Sequence, residues 1–524
     1  MSTQSTPGID GPDVPDHPSR SDGFIRGLSG LIGGPLGDHA VARDSPSGTA
    51  RRLWTAARIV LALACLTLVL HWVQKSPCQD GAWTDNKQYT RFCYTDVLAL
   101  YYAENLHQGA VPYRDHPVEY PVLTGYFMGA LGLPVHAAGE GNPDMNQGQW
   151  FYNLNALVLG ALAVATVAVL LALRRRRPWD AALFALSPAL LLTATVNWDL
   201  LAIGLAAFGL LAWARTGRGL GGSLPGGSPP GHWNGGLLMI ALAGVLIGLG
   251  GAAKMWPLFI LGPILVLAIR TGRVWAGILP IITAAVTVVA VNLPVALPEA
   301  SRENWGRFFE LNTTRPIDWG TLWYIGRYLD GKIGDPASQG PFQWLDANIP
   351  TLNWVSYALF GLACLGIGLL ALLAPRRPRL AQLAFLVVAA FLIFSKVWSQ
   401  QFVLWLLPLL VLARPKWGAF LAWQAAEVGY FVAFYGELLG TSTGTPVFPE
   451  GVFVLASTLR LATVVALCVL VVQEILHPER DAVRNSYADD PDGGLFDGAP
   501  DAPWLQRWRA SRATAAPTPT PAAA

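Results

Sequence analysis

Long apolar segments recur along this chain of 524 residues, and several of them approach 20 residues without a charged side chain. A helix of that length can cross a hydrocarbon core about 30 Å thick. Charged residues make up only 13% of the chain, whereas soluble globular proteins contain about 25%. The pattern therefore predicts an all-α polytopic membrane protein.

The two ends of the chain differ from its middle. Residues 1–50 are rich in Ser, Pro, Gly and Asp, and residues 479–524 end in "ATAAPTPTPAAA". Such composition is typical of disordered segments. We therefore predict two disordered cytoplasmic tails around a transmembrane domain at 51–478. The net charge of only +2 gives no indication of a nucleic-acid partner.

Basic clusters orient the apolar segments, because an excess of Lys and Arg marks short cytoplasmic loops. The clusters lie at 51–58, 174–177, 215–218, 270–273, 375–379 and 414–416. All of them fall on the cytoplasmic side only if the apolar segment 121–137 does not cross the membrane. We therefore predict that this segment is re-entrant or interfacial.

About twelve transmembrane helices remain, with both termini cytoplasmic. They are predicted at 54–73, 150–173, 179–196, 199–214, 237–251, 255–269, 274–296, 352–374, 380–394, 401–413, 417–436 and 451–474. Segments 74–149 and 297–350 then become large outer loops. Because the conspicuous polar residues fall on the outer side, we expect the chemistry to face away from the cytoplasm.

Two of the five cysteines, Cys78 and Cys93, flank a short polar stretch just after the first span. On an extracytoplasmic loop they could form a disulfide, and two unpaired thiols are the alternative. No Cys or His spacing indicates a metal site.

Asp96 stands where "YTD" opens an apolar, helix-like run in the first outer loop. Thr95 could cap that helix, and a carboxylate in the first turn is kept ionised by the helix dipole. An ionised carboxylate at the membrane surface can accept a proton from a hydroxyl group. The alternative is an acid that only offsets the dipole.

The proline-rich segment "PYRDHPVEYP" follows in the same loop and carries Arg114, Asp115, Glu119 and Tyr120 on a stiff turn. These side chains are candidates for binding a substrate. The alternative is a surface loop held by a salt bridge, which contributes little to stability.

Further polar residues interrupt apolar sequence, where ionisable groups are expensive and mark functional sites. Asn197, Asp199 and Lys254 form one group, for which a buried ion pair without another role is the alternative. Lys396, Gln400 and Gln401 form the other. A lysine suits a phosphate group, and extension of Lys396 to the membrane surface is the alternative.

Together, one carboxylate base, one or two lysines and several amides on the outer face indicate a reaction on a lipid-linked phosphate. Transfer of a sugar from such a donor needs a base for the acceptor hydroxyl and cations for the departing phosphate. We assign Asp96 as the base and Lys396, Lys254 and Arg114 to the phosphate. The sugar or acceptor pocket is assigned to Asp115, Glu119, Tyr120, Asn197, Asp199, Gln400 and Gln401.

The segment "TDVLALYYAENLHQGAVPY" resembles the first outer loop of bacterial membrane glycosyltransferases of the GT-C superfamily. It is most similar to glycosyltransferase family 87, the polyprenyl-phosphate-mannose-dependent α-mannosyltransferases. The matching residues are Asp96, Tyr101 or Tyr102, Gly109 and Tyr113. "EYPVLTG" and "SKVWSQQFVLWLLP" are also similar to segments of these proteins, although Gln400 replaces a frequent proline.

The resemblance implies a GT-C-like helical bundle in a bacterial plasma membrane, with Asp96 as the catalytic base. It implies inverting transfer of a sugar, mannose in this family, from a polyprenyl-phosphate donor to a hydroxyl group of a glycolipid or glycan. It implies neither a metal nor another cofactor. A flippase for lipid-linked sugars, an envelope polysaccharide polymerase or ligase, and a non-catalytic assembly partner remain the alternatives.

Overall fold

The computed structural model describes residues 21–32, 55–219, 233–333 and 339–515, and these residues form helices without a β-strand. The prediction of an all-α fold is therefore confirmed. Tail residues 1–20, 33–50 and 516–524, for which disorder is predicted, lie outside the described part of the chain.

The helices of the first half of the chain are α1 (Gly23–Ile32), α2 (Ala56–Lys75), α3 (Lys87–Thr90), α4 (Asp96–Ala103), α5 (Val122–Glu140), α6 (Gln147–Leu173), α7 (Ala182–Ala185), α8 (Pro188–Thr193), α9 (Asp199–Arg215) and α10 (Trp233–Ala253). Those of the second half are α11 (Leu261–Thr271), α12 (Val274–Ala296), α13 (Glu299–Thr314), α14 (Leu322–Ile333), α15 (Pro341–Ala347), α16 (Ile349–Leu373), α17 (Leu380–Phe394), α18 (Val403–Ala413), α19 (Trp417–Thr443), α20 (Glu450–Leu476), α21 (Ala482–Ser486) and α22 (Pro503–Ala515).

Six helices in the described ranges are long and apolar enough to cross a membrane, namely α2, α6, α10, α12, α16 and α20. Each of the twelve predicted spans coincides with helical sequence, but several of these segments are short, and their total of twelve crossings stays a prediction. The span predicted at 179–196 is broken. The Ser187 hydroxyl caps α8 by accepting a hydrogen bond from the Leu190 N–H, and Pro188 occupies the first position of that helix.

The segment predicted not to cross the membrane is a continuous helix, α5, with Pro134 in its interior. It is not among the helices that meet the length and apolarity expected of a span. The Thr124 hydroxyl donates to the Ala253 carbonyl oxygen over 2.7 Å. This contact fixes α5 against the end of α10, so the two helices meet beside Lys254.

The prediction of disorder for 479–524 is wrong for the residues up to 515. Asp481, Asp492 and Asp501 pair with arginines at the ends of apolar helices: Arg379 at 2.7 Å, Arg174 at 2.6 Å and Arg270 at 2.8 Å. Sequence composition does not predict the order of this tail, because the tail has few apolar residues and its order depends on these tertiary ion pairs. Residues 23–32 of the other tail are also helical, as α1.

Cys78 and Cys93 form a disulfide, with their Cα atoms 5.7 Å apart, which confirms the paired alternative. The Lys75 ammonium group supports the same connection, because it donates to the carbonyl oxygens of Phe92 and Tyr94 over 3.2 and 3.1 Å. The end of α2 is thereby joined to the residues that lead into Asp96.

We expect the double substitution Cys78→Ser and Cys93→Ser to lower the free energy of unfolding by about 3 kcal/mol, the effect of releasing a loop of roughly 15 residues. The measurement is thermal unfolding in detergent without reductant. Cys65→Ser, which replaces a free and exposed thiol, is the control. An unchanged unfolding temperature in the double variant would contradict the stabilising role.

Candidate active site

An open cavity of about 420 Å³ lies between segment 74–149, the end of α10, α13 and the connection from α17 to α18. Its polar lining residues include Tyr94, Asp96, Glu119, Tyr120, Lys254 and Arg315. Its apolar lining residues include Trp256, Phe308, Leu311, Phe391, Phe402 and Trp405. A cavity with convergent polar groups and a large apolar surface is the usual form of a small-molecule site.

Asp96 is the first residue of α4, as the sequence predicts, and Thr95 caps that helix by accepting from the Val97 N–H over 3.2 Å. The Thr95 hydroxyl also donates to the Thr195 carbonyl oxygen over 2.6 Å. The Asp96 N–H donates to the Val196 carbonyl oxygen over 2.7 Å. The start of α4 is therefore fixed to the connection that precedes α9.

The Asp96 carboxylate accepts a hydrogen bond of 3.0 Å from the Tyr120 hydroxyl. Burial raises the pKa of Asp96, while hydrogen bonds from Tyr94 and Tyr120 and the charge of Lys254 oppose that rise. The helix dipole alone, which is what the sequence indicates, would keep this carboxylate ionised. A raised pKa makes the ionised form a stronger proton acceptor.

Lys254 extends from the end of α10 into the cavity wall. Its Nζ lies 3.2 Å from an Asp199 carboxylate oxygen and 4.5 Å from the centre of the Tyr120 ring. Asn197 accepts from the Asp199 N–H over 2.9 Å. Asp199 and Asn197 are buried and do not line the cavity. Asp199 pairs with Lys254, and Asn197 supports the backbone of Asp199.

Arg315 is a cation of the cavity that the sequence analysis missed. Its guanidinium lies 2.9 Å from the Glu119 carboxylate, and both side chains line the cavity. Lys396 lies behind this pair, where its ammonium donates to the Arg315 carbonyl oxygen over 2.7 Å. Burial, with the nearby charge of Arg315, lowers the pKa of Lys396 to about 8. Lys396 therefore holds the chain at Arg315 and does not line the cavity.

The cavity-lining residues of α13 and Arg315, which directly follows this helix, occur at helical spacing. Phe308, Leu311, Asn312 and Arg315 follow one another at intervals of three, one and three residues, which places them on one side of the helix. This periodicity could have been found in "RFFELNTTR". It was missed because segment 297–350 was treated only as a loop.

Other predicted site residues divide between the cavity and its surroundings. Gln401 lines the cavity, whereas Gln400 is buried outside its lining. Arg114 and Asp115 do not line it either; they form an ion pair of 2.8 Å on the surface. For these two residues the structure agrees with the alternative of a salt-bridged surface loop.

Glu104 ends α4 beneath the proline-rich segment and is buried, with a carboxylate oxygen 3.9 Å from His116. Burial, together with the charge of Glu119, raises the pKa of Glu104 to about 8. The neutral acid is therefore the form that this part of segment 74–149 favours.

The protein fits no protein-family model, and no curated protein matches it. Among solved structures it is similar to the archaeal oligosaccharyltransferase AglB from Archaeoglobus fulgidus, in complex with an inhibitory peptide and a dolichol-phosphate. The sequences are 13% identical, and the TM-score is 0.35. The match covers 82% of this chain and 56% of that one, so this chain spans little more than half of that protein's length.

We expect the thermal stability to fall as the pH rises from about 4.5 to about 8, because unfolding releases Glu104 to its ordinary pKa. Below this window the acid is neutral in both states, and above it the folded state must bury a charge. Glu104→Gln should flatten the fall, by an amount on the order of a few kcal/mol. The exposed Glu140→Gln is the control, and identical pH profiles for Glu104→Gln and the wild type would contradict the assignment.

Proposed function

We propose that this protein is a membrane glycosyltransferase that transfers a sugar from a polyprenyl-phosphate donor to a hydroxyl acceptor in the cavity at Asp96. The observation that carries the proposal is the Asp96 carboxylate together with two cations, Lys254 and Arg315, in the lining of a cavity that also has a large apolar surface. The carboxylate suits the acceptor, the cations suit a phosphate and the apolar surface suits a lipid. The family resemblance adds mannose as the sugar and inversion as the stereochemical course.

The proposed reaction is a single displacement. The acceptor oxygen attacks the anomeric carbon and loses its proton to Asp96. The bond from that carbon to the phosphate oxygen breaks, and its electron pair leaves with the polyprenyl phosphate. Lys254 and Arg315 stabilise the charge that develops on the phosphate, which lowers the barrier because this charge is larger in the transition state than in the substrate.

Four further predicted residues act through the two cations. Asp199 and Asn197 orient Lys254, and Lys396 orients Arg315. Glu119 neutralises Arg315 until the phosphate arrives. Arginine can bind a phosphate with two parallel hydrogen bonds, so exchange of a carboxylate for a phosphate conserves the geometry.

The apolar surface of the cavity offers a path for the lipid part of the donor. Phe308 and Leu311 of α13 line the cavity together with Phe391 of α17. Their apolar surface would remove the first isoprene units from water, at roughly 25 cal/mol for each Å² buried. Arg315 directly follows α13 and lies on the same side as Phe308 and Leu311. The lipid and its phosphate would therefore be bound by one helix and the residue at its end.

The fold supports an outward orientation of the site. Asp199 begins α9 at the cavity and Arg215 ends it, so the helix separates the site from the basic cluster at 215–218 by roughly 24 Å. Basic clusters mark the cytoplasmic side. We therefore place the reaction on the outer face and the C-terminal tail, which binds the basic clusters, in the cytoplasm.

Asp96→Asn should reduce sugar transfer by about 10²- to 10⁴-fold, the contribution of a general base. The measurement is transfer from labelled polyprenyl-phosphate-mannose in membranes with equal amounts of protein. Asp85→Asn, an exposed acid of the same outer loop, should retain full activity. Equal rates for Asp96→Asn and the wild type would reject Asp96 as the base. Absence of transfer from the wild type as well would reject this donor and favour the flippase alternative.

Arg315→Gln should weaken both donor binding and turnover, and the loss of a charged hydrogen bond is expected to cost about tenfold or more in kcat/KM. Lys396→Met should cost less, since it removes only a support of Arg315. The measurement is steady-state kinetics at varied donor concentration. Arg307→Gln, on the same helix and outside the cavity lining, is the matched control. A full rate for Arg315→Gln would exclude its phosphate role.

A further inference from the structure

A second open cavity, of about 360 Å³, lies at the opposite end of the bundle, where the C-terminal tail covers the ends of α6 and α9. Ala172 and Leu173 are apolar residues of its lining. Arg175 and Arg273 contribute positive charge, and Tyr487 and Leu495 of the tail complete the wall. We call this space the basic-end cavity. It shares no residue with the candidate active site.

Arg175 differs from the other three arginines of the run at 174–177 in its interaction partners. Arg174 pairs with Asp492, Arg176 donates to the Ser486 carbonyl oxygen and Arg177 pairs with Asp180. Arg175 is exposed, and among the described residues it has no hydrogen-bond or ion-pair partner. Its charge is therefore available to the cavity.

The arginines at 270–273 show the same division. Arg270 is buried and pairs with Asp501 at 2.8 Å. Arg273 is exposed and donates to the carbonyl oxygen of Leu495, and no carboxylate partner for it occurs in the described ranges. Asp497 supplies the carboxylate of the cavity lining, and one of its oxygens already accepts from the Asp490 N–H over 3.0 Å. Each cluster thus directs one arginine without an acidic partner into the same cavity.

We propose that the basic-end cavity binds the phosphate group of an anionic membrane lipid. Two guanidinium groups provide planar pairs of donors that match phosphate oxygens. Basic pockets between membrane helices on the cytoplasmic side bind the headgroups of anionic lipids in this way. A lipid is favoured over a soluble phosphate because the cavity-lining residues Ala172 and Leu173 end a helix that is apolar enough to span the membrane.

Binding there would connect three separate parts of the chain. Arg175 follows α6, Arg273 precedes α12 and Leu495 belongs to the tail. A lipid that neutralises both arginines would hold these parts together and stabilise the folded protein by mass action. This inference does not depend on the proposed transferase activity.

The test uses the full-length protein in a neutral detergent and measures the unfolding temperature as lipid is added. The probes are phosphatidylglycerol, zwitterionic phosphatidylcholine and soluble glycerol phosphate. The variants are Arg175→Gln, Arg175→Gln with Arg273→Gln, and Arg215→Gln as the control, since Arg215 is exposed at the same end but does not line the cavity.

Phosphatidylglycerol should raise the unfolding temperature of the wild type and of Arg215→Gln. Its apparent affinity should fall about tenfold for each cavity arginine removed, as expected for a charged hydrogen bond. An unchanged response in the double variant, or an equal response to phosphatidylcholine, would overturn the proposal. An equal response to glycerol phosphate would overturn the choice of a lipid. If the double variant does not fold, Arg175→Gln alone decides, because that exposed side chain has no described partner to lose.

Discussion

The hydrogen bonds between the start of α4 and residues 195 and 196 are the contacts on which the candidate active site depends. They join residues about 100 positions apart in sequence and fix both the direction of α4 and the entry to α9. Asp96 lies on one side of this junction and Asp199 on the other. Because Asp199 orients Lys254, one backbone junction sets the relative positions of the carboxylate and of a cation.

Local sequence rules predicted the parts of the site that depend on neighbouring residues. A threonine followed by an aspartate indicated the helix start at Asp96, and isolated charges in apolar sequence indicated the pair of Asp199 and Lys254. Arg315 could not be singled out in this way. It lies in a polar loop where a charge costs little, and only the folding of that loop over the cavity distinguishes it from other arginines.

The same distinction, between features set by neighbouring residues and features set only by tertiary contacts, explains which parts of the fold could be predicted. Helices were predictable because each apolar segment must satisfy its own backbone hydrogen bonds in a membrane. The order of the tail was not predictable, because it comes from carboxylates that pair with arginines far away in sequence, as Asp481 pairs with Arg379. A buried pair of this kind costs desolvation energy from both partners, so it persists only where geometry is good. Sequence composition carries no information about that geometry.

The pairing of the tail with the basic clusters has a consequence for the order of events during synthesis. A ribosome completes residues 481–501 only after every membrane helix has been made. In the proposed topology, with the tail and the basic clusters in the cytoplasm, the arginines at 174, 270 and 379 have no aspartate partners during insertion, and their positive charge orients the helices. Once the tail emerges, its carboxylates neutralise these arginines. The same side chains thus act first as signals of topology and later as anchors of the finished fold.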